Sequence, residues 1–203
     1  LAVLGLDVAI LLKAPAGISL TSFQPSTFTG GSPWIGLVMC FSAFIGFEAT
    51  AIYAEEARNP ERTIPVATYA ALLLIGGFYI FSTWCVVNAV GAKQLVSFLA
   101  SLADPTVILF RLAGQFVGSW LAFVMHLLFL TSIFAGILAF HNSVARYLFA
   151  MGRQDLLPRA LSMTHRRHRS PHVASVVQSL SALLSVAACV VAGMDPIAMF
   201  TRV

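Results

Sequence analysis

Residues 34–57, 67–91, 118–150 and 172–193 are four stretches of mostly apolar residues, and residues 1–12 make a fifth, shorter one. A helix needs about 20 consecutive apolar residues to cross the hydrocarbon core of a bilayer. The four long stretches meet that length, and nothing else in the chain constrains its fold as strongly. Of the 203 residues, 59% are hydrophobic and 10% are charged. Soluble domains carry about 25% charged residues, so the sequence predicts an all-α, polytopic membrane protein. The stretch at 118–150 exceeds one perpendicular crossing and predicts a tilted helix or one that continues into water. We read the chain as a piece of a larger membrane domain, with residues 1–12 as the tail of a span, because Leu1 already lies inside an apolar run.

The connections differ in character. Residues 14–33 are rich in Ser, Thr, Gly and Pro and read as an irregular loop. Residues 58–66 are short and polar, and Pro60 and Pro65 argue against helix there. Residues 92–117 are semi-apolar, and Asp104-Pro105 divides them into two short amphipathic helices. Residues 152–171 are basic, with Arg153, Arg159, Arg166, Arg167 and Arg169, and Arg146 just precedes them. Arg58 and Arg62 add to the 58–66 connection, while the other side holds only Lys13, Lys93, Arg111 and Arg202. The positive-inside rule therefore predicts that loops 58–66 and 152–171 are cytoplasmic. The net charge of +4 is a topology signal of this kind and does not point to nucleic acid. Cys40, Cys85 and Cys189 are isolated in apolar stretches, with no metal-ligand spacing, and read as small hydrophobes. No metal, cofactor or catalytic residue is expected, and no internal repeat is visible.

One apolar stretch carries an acid. Glu48 ends the run Phe41-Ser42-Ala43-Phe44-Ile45-Gly46-Phe47-Glu48, on the inner half of its span. Ionisable groups at membrane depth are costly and usually face a cavity, a partner or an ion path. Gly46 lowers the cost of breaking a helix beside it. A weak helix point next to a buried acid suggests a transport site, where loosened backbone groups meet a solute.

The same residues resemble a known family. Phe44-Ile45-Gly46-Phe47-Glu48, followed by Ala54-Glu55-Glu56-Ala57-Arg58-Asn59-Pro60-Glu61-Arg62-Thr63-Ile64-Pro65, is similar to the sixth transmembrane helix and following loop of amino acid permeases of the amino acid–polyamine–organocation superfamily. Arg146 with Ala150-Met151-Gly152-Arg153-Gln154-Asp155-Leu156-Leu157-Pro158 resembles the inner end of its eighth helix, except that Gln154-Asp155 stands where Asp-Gly is common. The resemblance runs from late helix five to the start of helix ten. It implies a fold of two inverted five-helix repeats with helices one and six broken at mid-membrane, of which this chain holds a part. Some relatives use a lysine of helix five in place of sodium, but Lys13 lies at the outer end of that helix and is not assigned the role.

Each candidate residue has a functional and a structural reading. Ser42, Ala43, Phe44, Gly46 and Phe47 are the expected unwound, substrate-binding segment, or else Gly46 permits close packing and the phenylalanines meet lipid. Glu48 is the expected proton-coupling group, or else a carboxyl tying helices together. Glu55 and Glu56 end a helix, where the macrodipole disfavours anions. They call for a cytoplasmic salt-bridge network with Arg58, Arg62, Arg146 and Arg153, or else are solvated. Thr131 and Ser132 are hydroxyls at mid-span, for a cation site or simply bonded to their own helix. His126 and His141 are lone histidines, about four turns apart, and read as helix-packing residues.

The expectation is a plasma-membrane, multi-pass secondary transporter for an amino acid or related amine. It would work by alternating access, with a coupling proton in preference to sodium. An exchanger of the same fold is the alternative. From other classes come a non-transporting membrane scaffold or receptor-like bundle and a membrane enzyme, the latter without any convergent catalytic cluster in the sequence. Its partners are then the substrate, the proton and the lipid bilayer, with no nucleic acid.

Overall fold

The computed structural model describes residues 1–13, 17–29, 32–47, 49–52, 57–102, 104–168 and 170–194. Its elements are helical throughout, with no strand among the described residues. In order they are α1 (Ala2–Lys13), α2 (Pro25–Thr29), α3 (Pro33–Ala43), α4 (Ala49–Ile52), α5 (Pro60–Val90), α6 (Leu95–Ala100), α7 (Ile108–Phe116), α8 (Ser119–Arg153) and α9 (His172–Val191), with short 3₁₀ turns between some of them.

Among the described residues, three helices are long and apolar enough to cross a membrane: α5, α8 and α9, of 31, 35 and 20 residues. At 1.5 Å per residue α8 is about 52 Å long, well beyond a hydrocarbon core of about 30 Å. Prolines start α3 and α5, where a missing N–H costs nothing. The chain differs from the sequence reading at α5. That helix begins at Pro60, so most of the 58–66 stretch is helix and not turn, with Pro65 inside it. Pro65 leaves the Glu61 carbonyl without its helical partner. Glu61 is exposed in the first turn, where water can take the bond. The 92–117 connection does contain two short helices, α6 and α7. Between them the Asp104 carboxylate accepts bonds from the Thr106 hydroxyl at 2.7 Å and the Thr106 backbone N–H at 2.8 Å. Both bonds hold Asp104 below the usual carboxylate range.

The chain divides into two compact units, Leu1–Ile133 and the residues from Phe134 onward. In the first, α1 packs on α5 and α7. Leu6 and Ile10 of α1, Cys85 of α5, Leu112 and Phe116 of α7 and Met125 of α8 form its buried core. Polar pins hold this unit together. Lys13 Nζ donates to the Phe116 carbonyl at 2.6 Å, placing a cation at the negative end of α7. Asn88 Oδ1 accepts from the Ser19 N–H at 2.7 Å, and Trp84 Nε1 donates to the Ser19 carbonyl at 2.8 Å. Together they fasten the loop after α1 to α5. In the second unit Ala145, Leu161 and Ala174 form a small core, and His141 of α8 meets the Ser175 hydroxyl of α9 at 2.9 Å.

Candidate functional site

The stretch 34–57 is not one helix. α3 stops at Ala43, residues 44–47 form turns, and α4 runs from Ala49. The backbone tightens before it turns: the Phe44, Ile45 and Phe47 N–H groups bond three residues back, to Phe41, Ser42 and Phe44, at 3.1, 3.3 and 3.3 Å. Gly46 then adopts φ 105°, a conformation that L side chains rarely enter. The glycine thus lets the chain leave the helix and resume it within a few residues. Ser42 bonds its own helix at the Val38 carbonyl, at 3.1 Å. The five residues expected at the substrate, Ser42, Ala43, Phe44, Gly46 and Phe47, all lie at this break.

α5 holds the break in place. Tyr79 Oη donates to the Ala43 carbonyl at 3.3 Å, the end of α3 where helical partners run out. The Tyr79 ring meets Phe44 edge to face, with centroids 5.8 Å apart. One turn along, Gly76 leaves room for Phe44, whose Cζ would sit 3.4 Å from a Cβ added there. Beyond the break, the Thr50 and Thr68 hydroxyls lie 2.6 Å apart and join α4 to α5. Tyr79, Gly76, Thr50 and Thr68 were not singled out in the sequence. An aromatic, a small residue and a hydroxyl spaced along one face of the next helix are the signal that was available.

The remaining candidates fall elsewhere. Glu48, Glu55, Glu56 and Arg169 lie outside the described residues. Arg58 and Arg62 are exposed in the first unit. Arg146 and Arg153 belong to the second, where Arg153 lies over the Phe149 ring at 5.8 Å. The Thr131 hydroxyl donates to the Leu128 carbonyl of its own helix at 2.9 Å, and both Thr131 and Ser132 are exposed. His126 bonds the Ala122 carbonyl at 2.7 Å and stacks on Phe110, which accounts for it as a packing residue. No group of three or more His, Cys, Asp or Glu among the described residues is placed to hold a metal ion.

The second motif forms a helix end with its own chemistry. Asp155, which stands where glycine is common in the resemblance above, has φ 57°. Asp is among the few non-glycine residues that visit this region. The Leu156 N–H returns to the Met151 carbonyl at 3.1 Å, the long capping bond that closes a helix after a left-handed residue. Asp155 also takes two bonds from Arg159, at 2.5 and 2.9 Å. That guanidinium holds the Asp155 carboxyl below its usual range and raises its own pKa in turn. Gly152 is needed for a different reason: a Cβ there would come within 3.0 Å of the Leu161 Cβ and the Ser162 nitrogen.

The long apolar helices and the all-helical build define an integral, polytopic membrane protein. Residues 11–202 match the amino acid permease family, and the chain belongs to that family. It is 29% identical over 163 residues to the branched-chain amino acid permease BcaP of Bacillus subtilis, covering 80% of this chain and 33% of the relative. It is 30% identical over 165 residues to the vacuolar cationic amino acid transporter 2 of Arabidopsis thaliana, covering 80% and 24%. With the low-affinity putrescine importer PlaP of Escherichia coli K12 the identity is 28% over 193 residues, covering 91% and 40%. The chain thus spans two fifths or less of the length of these relatives. No solved structure matches it significantly.

Proposed function

We propose that this chain is part of a permease that carries an amino acid or a related amine across the plasma membrane. The observation that carries the reading is the helix break at residues 44–47, immediately before Glu48, in a chain of the amino acid permease family. Backbone groups released by a break inside an apolar span are the standard means by which such folds bind solutes at mid-membrane. In this reading Ser42, Ala43, Phe44, Gly46 and Phe47 line the substrate path. Freed carbonyls there receive the substrate ammonium, and Glu48 exchanges the coupling proton. Alternating access moves the break relative to the rest of the fold, which is the family's two-repeat arrangement. Residues 58–66, at the start of α5, and the basic segment 152–171 face the cytoplasm, where Glu55 and Glu56 pair with basic residues of the inner side. The named relatives carry amino acids in two cases and putrescine in the third, which supports a substrate with an ammonium group.

The test is initial uptake of labelled amino acids and diamines against external pH, in membranes carrying the native protein. Uptake driven by an imposed pH gradient supports proton coupling, and uptake that needs a counter-substrate inside indicates exchange. Glu48→Gln is expected to flatten the pH profile while the protein still inserts. A Gln variant whose profile overlays wild type would exclude Glu48 as the coupling group. No uptake of any amine-bearing substrate would overturn the transport reading.

A further inference from the structure

Asp7 lies within the apolar helix α1, and it is buried by this chain alone. Asp7 of α1 has no exposed surface. Ser82 of α5 donates to its Oδ2 at 2.6 Å. Its other oxygen, Oδ1, is buried with no hydrogen-bond partner. No cation lies close enough to pair with it among the described residues. Lys13, on the same helix, is bonded to the Phe116 carbonyl. Arg111, the charged residue of α7, is exposed and lies over the Phe98 ring. His126 of α8 is exposed, on Ala122 and Phe110. From α5 the neighbouring groups are the buried Cys85 thiol and Asn88, whose amide is taken by Ser19 and Trp84.

A carboxylate with half its charge unpaired in such a core is strongly disfavoured, because nothing replaces its hydration. A neutral carboxyl leaves only a carbonyl oxygen unbonded, a far smaller penalty. The 2.6 Å separation serves equally well with the acid O–H donating to Ser82 Oγ. We propose that Asp7 and Ser82 form a proton-binding site at the contact of α1 with α5, which holds its proton while the helices are packed and releases it when they part. On release the carboxyl O–H bond breaks, the electron pair stays on oxygen, and the proton passes to entering water. The charge left behind opposes closure until a proton returns. Proton occupancy and the packing of α1 on α5 are then linked, whatever the transported solute.

Infrared spectroscopy of the full chain in lipid bilayers at neutral pH tests this, with no substrate and no uptake, so its outcome is independent of the transport reading. A protonated-carboxyl C=O band is expected in wild type, lost in Asp7→Asn and retained in Glu48→Gln. Asp7→Asn spectra that superimpose on wild type in that region would overturn the proposal. Ser82→Ala keeps the acid and removes its partner, and so decides the matter even if Asp7→Asn does not fold. The band should move to higher frequency as the hydrogen bond is lost, and an unmoved band would equally overturn the site.

Discussion

α3 and α8 both end near a residue with positive φ, and the two endings show how much the surrounding medium decides. At α8 the left-handed residue is Asp155, and the loose carbonyl of Met151 is taken up locally, by the Leu156 N–H. The cap is self-sufficient and stands in a basic, exposed loop. At α3 the left-handed residue is Gly46, and the Ala43 carbonyl is served from another helix, by Tyr79 thirty-six residues on. Water can satisfy whatever a cap in a loop leaves open. Inside an apolar span it cannot, so a break there needs tertiary support or a ligand.

Substitutions at four places would break or sharpen this contrast. The largest effect is expected for Gly46→Val, because a β-branched residue cannot adopt φ 105° without strain. A loss on the order of 3 kcal/mol should appear in unfolding of the membrane-embedded protein, and Gly46→Ala should fall between Val and wild type. A Val variant as stable as wild type would mean that the chain does not turn at Gly46. Next comes Gly152→Ala, whose Cβ meets the Leu161 side chain and the Ser162 backbone at 3.0 Å. About 2 kcal/mol is expected from such overpacking, read by hydrogen exchange across 152–162, with no change at the break.

Tyr79→Phe keeps the edge contact with Phe44 and deletes the bond to Ala43. It should cost about 1 kcal/mol and speed exchange of the Phe44 to Phe47 amides, with residues 151–156 unaffected. Equal exchange in the two proteins would show that Tyr79 does not brace the break.

The smallest effect belongs to the Asp155–Arg159 pair, which is exposed on both sides and so contributes little. Its sign is still defined. Arg159 lowers the folded-state pKa of Asp155, so the pair's contribution is present above the ordinary Asp value of about 3.9. It is lost as the pH falls through the lowered midpoint. An NMR titration should show Asp155 titrating below that ordinary value, and Arg159→Ala should return it. Asp155→Gly should leave the cap intact, since glycine accepts the same φ.

Apolar length and basic loops are properties of consecutive residues, so the all-helical membrane build was legible without coordinates. So was the weak point at Gly46, because a glycine beside an acid in an apolar run is a local signal. The start of α5 is not legible in the same way: Pro60 and Pro65 argue against helix in sequence, whereas in the first turns at an exposed end their missing bonds are cheap. Three features came only from tertiary structure: Tyr79 on Ala43, Thr68 on Thr50, and Ser82 on Asp7. Their partners lie 36, 18 and 75 residues apart. Sequence spacing can place a polar residue on a helix, but which neighbour it meets depends on how the helices pack. For a polar group shielded from water, that neighbour decides whether it braces a turn, joins two helices or holds a proton.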